Sequence, residues 1–357
     1  MDGTRDVQTL AVPPRHADGA DVALVRRARR GPRRRHALVV AGLSVLLVVA
    51  FTVEVLLGDY TFTIPDFVAI LLGEQIPVAS YILMESKLPR ALLAVLVGIC
   101  LGVGGACFQV VLRNPLASPD VIGISGGASV AALFAILQLG LRGGAVQVAA
   151  VLGGLAAALL VGWVAGSIGG LRLVLVGVGL SAAATAGVQY LLTRADIWDV
   201  QLALQWLAGS LNNVRWPAVQ VVGLVVLVAL PVLWFVARDL RIGELGDDTA
   251  TGLGLPRGQG VAVLLVATVL VCVGVAATGP VAFVAFMAGP LSRGLNGGRA
   301  TLVGAALTGA VVMLGADFVG NHLLGPVSLP VGIVTGVLGA PFLLWLLARG
   351  AVGRSAG

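Results

Sequence analysis

The sequence predicts an all-α fold, a polytopic membrane helix bundle of about ten transmembrane helices with both termini cytoplasmic. Three observations predict it. Hydrophobic residues make up 58% of the 357 residues and charged residues 11%, with a mean hydropathy of +1.01, beyond what a soluble core requires. The apolar residues come in continuous runs close to the roughly 20 residues that cross a bilayer as helix, without the period-two alternation of a membrane barrel. The basic residues are concentrated on alternate connections, as orientation in a membrane demands.

Taken in order, residues 1–36 are polar and Arg-rich without an apolar period, which predicts a disordered cytoplasmic tail. The apolar run behind it is too long for a signal-peptide core, and no A-x-A-like site follows. The tail's arginines orient the first span and can touch anionic lipid. The transmembrane domain covers 37–350, with apolar runs at 37–57, 91–111, 121–139, 144–165, 172–193, 217–237, 259–278, 300–320 and 331–349. The stretch 279–293 is apolar but broken by Pro280 and Pro290, and counts as a short or kinked span. Residues 351–357 form a short cytoplasmic tail.

Within the spans, Gly98 with Gly102 and Gly123 with Gly127 have the G-x-x-x-G spacing that lets helix backbones pack closely. Between spans two and three, Pro115 and Pro119 bias Asn114 and Ser118 away from helix, so Arg113–Asp120 reads as a short rigid turn. Asp120 is placed there to cap the next helix. Between spans six and seven lies a polar island, RIGELGDDTATGLGLPRGQG, at 241–260. Asp247 or Asp248 can cap a short helix beginning near Thr249, Gly252 or Gly254 can end it, and Pro256 stops any continuation.

Ten spans with the N-terminus inside leave only Lys87, Arg90, Arg142, Arg194 and Arg215, of 23 basic residues, on the outside. The net charge of +6 therefore reflects topology, and it implies no nucleic acid. Cys100, Cys107 and Cys272 lie within spans without metal-ligand spacing and read as small apolar packers. The single lysine, Lys87, follows Ser86, so no G-x-x-x-x-G-K-[ST] phosphate loop exists and any ATP hydrolysis belongs to another subunit. Gly123-Ile124-Ser125-Gly126 matches an intramembrane serine protease pattern with His322 as base. The topology puts those two residues roughly 30 Å apart, out of hydrogen-bond reach. Glu54 and Asp317 are the only acids within spans, both near outer ends, which argues against a charge relay, although an ion-coupled secondary transporter that binds sodium through backbone carbonyls at broken helices stays open as an alternative.

Several ordered motifs carry a resemblance. They are Leu88-Pro89-Arg90, Gln109 with Arg113-Asn114-Pro115-Leu116-Ala117, Gly123 with Gly126-Gly127-Ala128, and Trp206-Leu207-Ala208-Gly209-Ser210-Leu211 with Trp216. Leu245-Gly246-Asp247-Asp248-Thr249-Ala250 with Leu253-Gly254, the Gly279-Pro280 to Arg293 segment, Ala316-Asp317, Leu329-Pro330-Val331-Gly332 and Gly339-Ala340-Pro341-Phe342 complete the set. Over roughly 37–349 the chain resembles the FecCD-type permease subunits of ABC importers for iron-siderophores, haem and cobalamin.

The resemblance implies a ten-helix subunit paired with a second permease, two ABC ATPase subunits and an extracytoplasmic substrate-binding protein. It implies no cofactor in this chain, with ATP and Mg on the ATPase. It gives the island, Gly246, Asp247, Asp248, Thr249, Ala250, Gly252, Leu253 and Gly254, the task of docking in the ATPase. It gives Lys87 and Arg90, with Asn321 at a position basic in other members, the task of meeting carboxylates of the binding protein. Trp206, Gly209 and Ser210 are expected to mark the translocation path, and Arg113, Asn114 and Pro115 the cytoplasmic turn. The family's Pro-His pair is Pro290-Leu291 here; with Asn321, this departure points to an unequal partner, a heterodimer. The implied cargo is a metal chelate, first a ferric siderophore, with haem or cobalamin as alternatives.

Overall fold

The computed structural model describes residues 19–58, 60–166, 171–212, 214–237, 252, 258–324 and 328–354. α1 (Gly19–Leu56) is one helix of 38 residues. It begins inside the stretch expected to be an irregular tail, so residues 19–36 depart from that expectation. Once an apolar run has nucleated helix, extending it is cheap, and Ala and Arg are among the better helix formers. α2 (Ile64–Leu71) starts where Thr63 accepts the Asp66 N–H at 3.3 Å. α3 (Ala79–Tyr81) passes through a π-helical turn, Ile82–Lys87, into α4 (Leu88–Val111). That turn ends next to Pro89, whose ring removes a donor from the α-helical ladder.

The remaining elements are α5 (Ile124–Leu137), α6 (Gly144–Ala165), α7 (Leu171–Thr193), α8 (Ile197–Leu207), α9 (Trp216–Ala237) and α10 (Gln259–Thr278). α11 (Val284–Leu295), α12 (Leu302–Phe318) with a π turn at Val319–Leu323, and α13 (Val331–Arg354) follow. Among the described residues, 8 helical segments are long and apolar enough to cross a membrane. The other two expected spans are shorter than a bilayer: α5 has 14 residues and α11 has 12.

α4 is the hub, packed by α9, α10, α11 and α12. In the 18-residue apolar window of Ala79–Val111, the segment that ends in α4, 78% of the residues are buried within the chain, against 17% in that of Arg33–Leu56 of α1. α4 therefore belongs to the core, and α1 to the periphery. The tightest seam joins α4 to α12: a Cβ on Gly98 would stand 2.5 Å from the Gly309 carbonyl oxygen. Backbone contact of this kind is what the G-x-x-x-G spacing permits. The second such pair divides its tasks. Gly127 packs against Gly153, whereas Gly123, at φ 89°, is the left-handed residue from which α5 starts.

Asp120 does not cap α5. Its carboxylate accepts from the Ser125 hydroxyl, and its carbonyl accepts the Gly123 N–H at 3.0 Å. The chain reverses through a left-handed glycine at the helix start, and that geometry aims the aspartate at the Ser125 side chain.

Candidate functional site

Three breaks in the helices meet backbone to backbone: the end of α8, the α10–α11 link and the start of α13. The Ser210 N–H donates to the Thr278 carbonyl at 2.7 Å, and the Gly332 N–H donates to the Gly209 carbonyl at 3.1 Å. Gly209 has φ 68°, and a Cβ there would overlap the Pro280 carbonyl oxygen. Gly209 and Ser210 thus lock the junction, while Trp206 is half-buried and packs with both apolar clusters of the core.

A cavity of about 640 Å³ opens beside this junction. Leu207, Ala208, Phe283, Phe286 and Ile333 form its apolar wall, and Ser118, Asp120 and Ser125 form one polar corner. Trp206, Gly209 and Ser210 support this wall from behind and do not line it. Sequence reasoning missed Phe283, Phe286 and Ile333 because each reads as an ordinary apolar span residue, while Leu207 and Ala208 stand in the motif around Gly209. Their adjacency to Gly209 and Pro280 is the one available signal.

Phe283 stands at φ 65°, and its ring meets Phe286 edge-on at 6.2 Å, which in turn meets Phe342 at 6.1 Å. A broad aromatic wall with few fixed polar partners gives diffuse contact, suited to passage more than to chemistry. The Ser125 hydroxyl is held by Asp120, while His322 stacks on Phe318 at 5.0 Å on a different helix, so no nucleophile–base pair forms.

At the other ends of α4 and α12, Arg90 holds Asp317 in a bidentate pair. Nε donates to Oδ2 at 2.7 Å and Nη2 to Oδ1 at 2.9 Å. Asn321 Nδ2 also reaches Asp317, at 2.7 Å to its carbonyl and 3.1 Å to Oδ1. The Asp317 side chain is 1% exposed and that of Arg90 23%. Lys87 Nζ donates to the carbonyls of Leu57 at 2.5 Å and Tyr60 at 2.7 Å, and lies 5.4 Å from the Phe62 ring centroid. All three residues expected at the docking surface therefore have contacts within the chain. Asp317 is visible in the sequence as a span acid, but its pairing with Arg90, 227 positions away, is not.

In the turn after α4, Arg113 adopts φ 50°. The Asn114 side-chain oxygen accepts the Leu116 N–H at 2.9 Å, bridging Pro115. Gln109, one turn earlier, donates to the Phe286 carbonyl at 3.0 Å and so ties the turn to the cavity wall. Of the island residues, Gly246, Asp247, Asp248, Thr249, Ala250, Leu253 and Gly254 lie outside the described residues. Gly252 is helical and exposed.

Residues 46–349 match the model of the FecCD transport family. The chain is 36% identical over 296 residues to the ferric enterobactin transport system permease protein FepG of Escherichia coli, covering 82% of this chain and 90% of that protein. It is 39% identical over 275 residues to the Fe(3+) dicitrate transport system permease protein FecD of the same organism, covering 75% and 86%. Among solved structures, an inward-facing conformation of a metal-chelate type ABC transporter superposes with a TM-score of 0.77 at 26% identity, covering 88% of this chain and 99% of that one. A match over most of the chain, relatives above 30% identity and a shared helical architecture agree, and the chain belongs to the FecCD transport family, the permease subunits of ABC importers.

Proposed function

We propose that this permease carries a ferric siderophore across the cytoplasmic membrane by alternating access, driven by ATP that a separate subunit hydrolyses. The observation that carries the reading is the continuous family match over residues 46–349, which includes the three breaks beside an apolar cavity. The relatives' named cargoes, ferric enterobactin and Fe(3+) dicitrate, favour an iron chelate. In this reading the chain has ten spans with both ends cytoplasmic, and it pairs with a second, unequal permease. Trp206, Gly209 and Ser210 border the path, and Arg113, Asn114 and Pro115 shape its inner turn. The segment Gly246–Gly254 docks in the ATPase, where ATP and Mg bind.

The test is ATP-dependent uptake of a radiolabelled ferric siderophore by vesicles holding the full complex with its binding protein, whose subunit composition also reports hetero- or homodimerisation. Asp247→Ala with Asp248→Ala is expected to lower uptake at least tenfold while membrane insertion stays intact. ATPase coupling and uptake unchanged in that variant would remove the docking role, and uptake of haem or cobalamin in place of the siderophore would reassign the cargo.

Docking of the binding protein is assigned to Lys87, Arg90 and Asn321, near the outer ends of α4 and α12. Lys87→Glu is expected to weaken binding-protein association about tenfold, chiefly through slower association at low salt. Surface-binding kinetics insensitive to this reversal and to ionic strength would exclude Lys87 from the docking surface.

A further inference from the structure

At the end of the bundle opposite the Arg90–Asp317 pair, α1 reaches across to the turn between α11 and α12. Arg35 Nε donates to the Leu295 carbonyl at 3.0 Å, and its guanidinium lies so close to Gly297 that a Cβ there would be 2.9 Å from Nη1. Two further arginines flank the same turn. The Arg293 carbonyl accepts the Gly298 N–H at 2.8 Å, and the Arg299 carbonyl accepts from Asn296 Nδ2 at 3.3 Å. The Arg293 Nε and His36 Nδ1 are buried without a hydrogen-bond partner. Among the described residues no carboxylate pairs with Arg35, Arg293 or Arg299.

The same corner is apolar on its membrane side. Leu38 is 62% exposed on α1, just past the arginines, and Leu295 and Val303 are also exposed. A ligand that satisfies both halves is anionic at one end and hydrocarbon at the other. We propose that Arg35, Arg293 and Arg299 hold the phosphate of an anionic phospholipid, whose chains lie along the exposed apolar faces of α1 and α12. Guanidinium groups suit the site because they bind phosphate through two parallel N–H donors. Their level, where the apolar run of α1 begins, is that of the lipid headgroups.

The probes are phosphatidylglycerol, phosphatidylcholine and inorganic phosphate, each added to the detergent-purified importer complex. Wild type is expected to retain phosphatidylglycerol by native mass spectrometry and to be protected thermally by it, and not by phosphatidylcholine or inorganic phosphate at matched concentration. At about 1 kcal/mol for each basic residue near an anionic surface, Arg35→Gln with Arg293→Gln should weaken retention on the order of 30-fold. Should that variant fail to fold, Arg299→Gln, at an exposed position, is expected to weaken it about fivefold. Equal protection by phosphatidylcholine, protection by inorganic phosphate alone, or retention unchanged in the variants overturns the site. So does a loss of stability that is the same in every lipid, which would leave Arg35 only a clamp on α11.

Discussion

Arg90→Ala is expected to abolish recovery of folded protein, because it leaves the Asp317 carboxylate, 1% exposed, without its cation. Removing one partner of a buried ion pair costs about 3–5 kcal/mol, a large part of the stability of a typical domain. The one remaining Asn321 hydrogen bond to that carboxylate, at 3.1 Å, softens the loss without supplying charge. Replacing both members, Arg90→Met with Asp317→Leu, is expected to restore folding, since apolar residues of similar volume avoid the desolvation of two charges. Thermal stability of detergent-solubilised protein, read by size-exclusion chromatography, separates the outcomes. A single variant as stable as wild type would show that the pair contributes nothing to the fold. The double variant also divides the two tasks given to Arg90: a folded protein that no longer binds its binding protein would keep the docking role alive beside the structural one.

Gly209→Ala is expected to stop transport while leaving membrane insertion intact. An L-residue at φ 68° costs about 1–2 kcal/mol by itself. At this position the added methyl group also overlaps the Pro280 carbonyl oxygen and pushes apart the three breaks that meet there. Gly140→Ala supplies the control. Its φ is 62°, and nothing stands within 4 Å of the added carbon, so it carries the conformational cost alone. If the two variants transport equally well, the junction tolerates expansion and Gly209 has no special place in it.

The spans were legible in the sequence because continuous apolar runs leave the backbone one solution in lipid, and the Gly98–Gly102 spacing announced a close backbone contact without naming α12 as its partner. The helical start of α1 was hidden, since arginine-rich residues without a period look unstructured until an adjoining span propagates helix into them. Arg90 was found as chemistry but not as the partner of Asp317, because nothing local marks a contact 227 residues away. Phe283, Phe286 and Ile333 were invisible for the opposite reason: a cavity wall and a packed core use the same side chains.

The 14 residues of α5 cover about 21 Å, less than the roughly 30 Å of hydrocarbon. In the ten-span reading proposed above, the rest of that crossing falls to the turn before it, whose backbone cannot face lipid and must be met by protein or water. Two side chains of that turn, Ser118 and Asp120, stand at the cavity. In that reading a cargo in the cavity meets polar groups before the full thickness of hydrocarbon has been crossed.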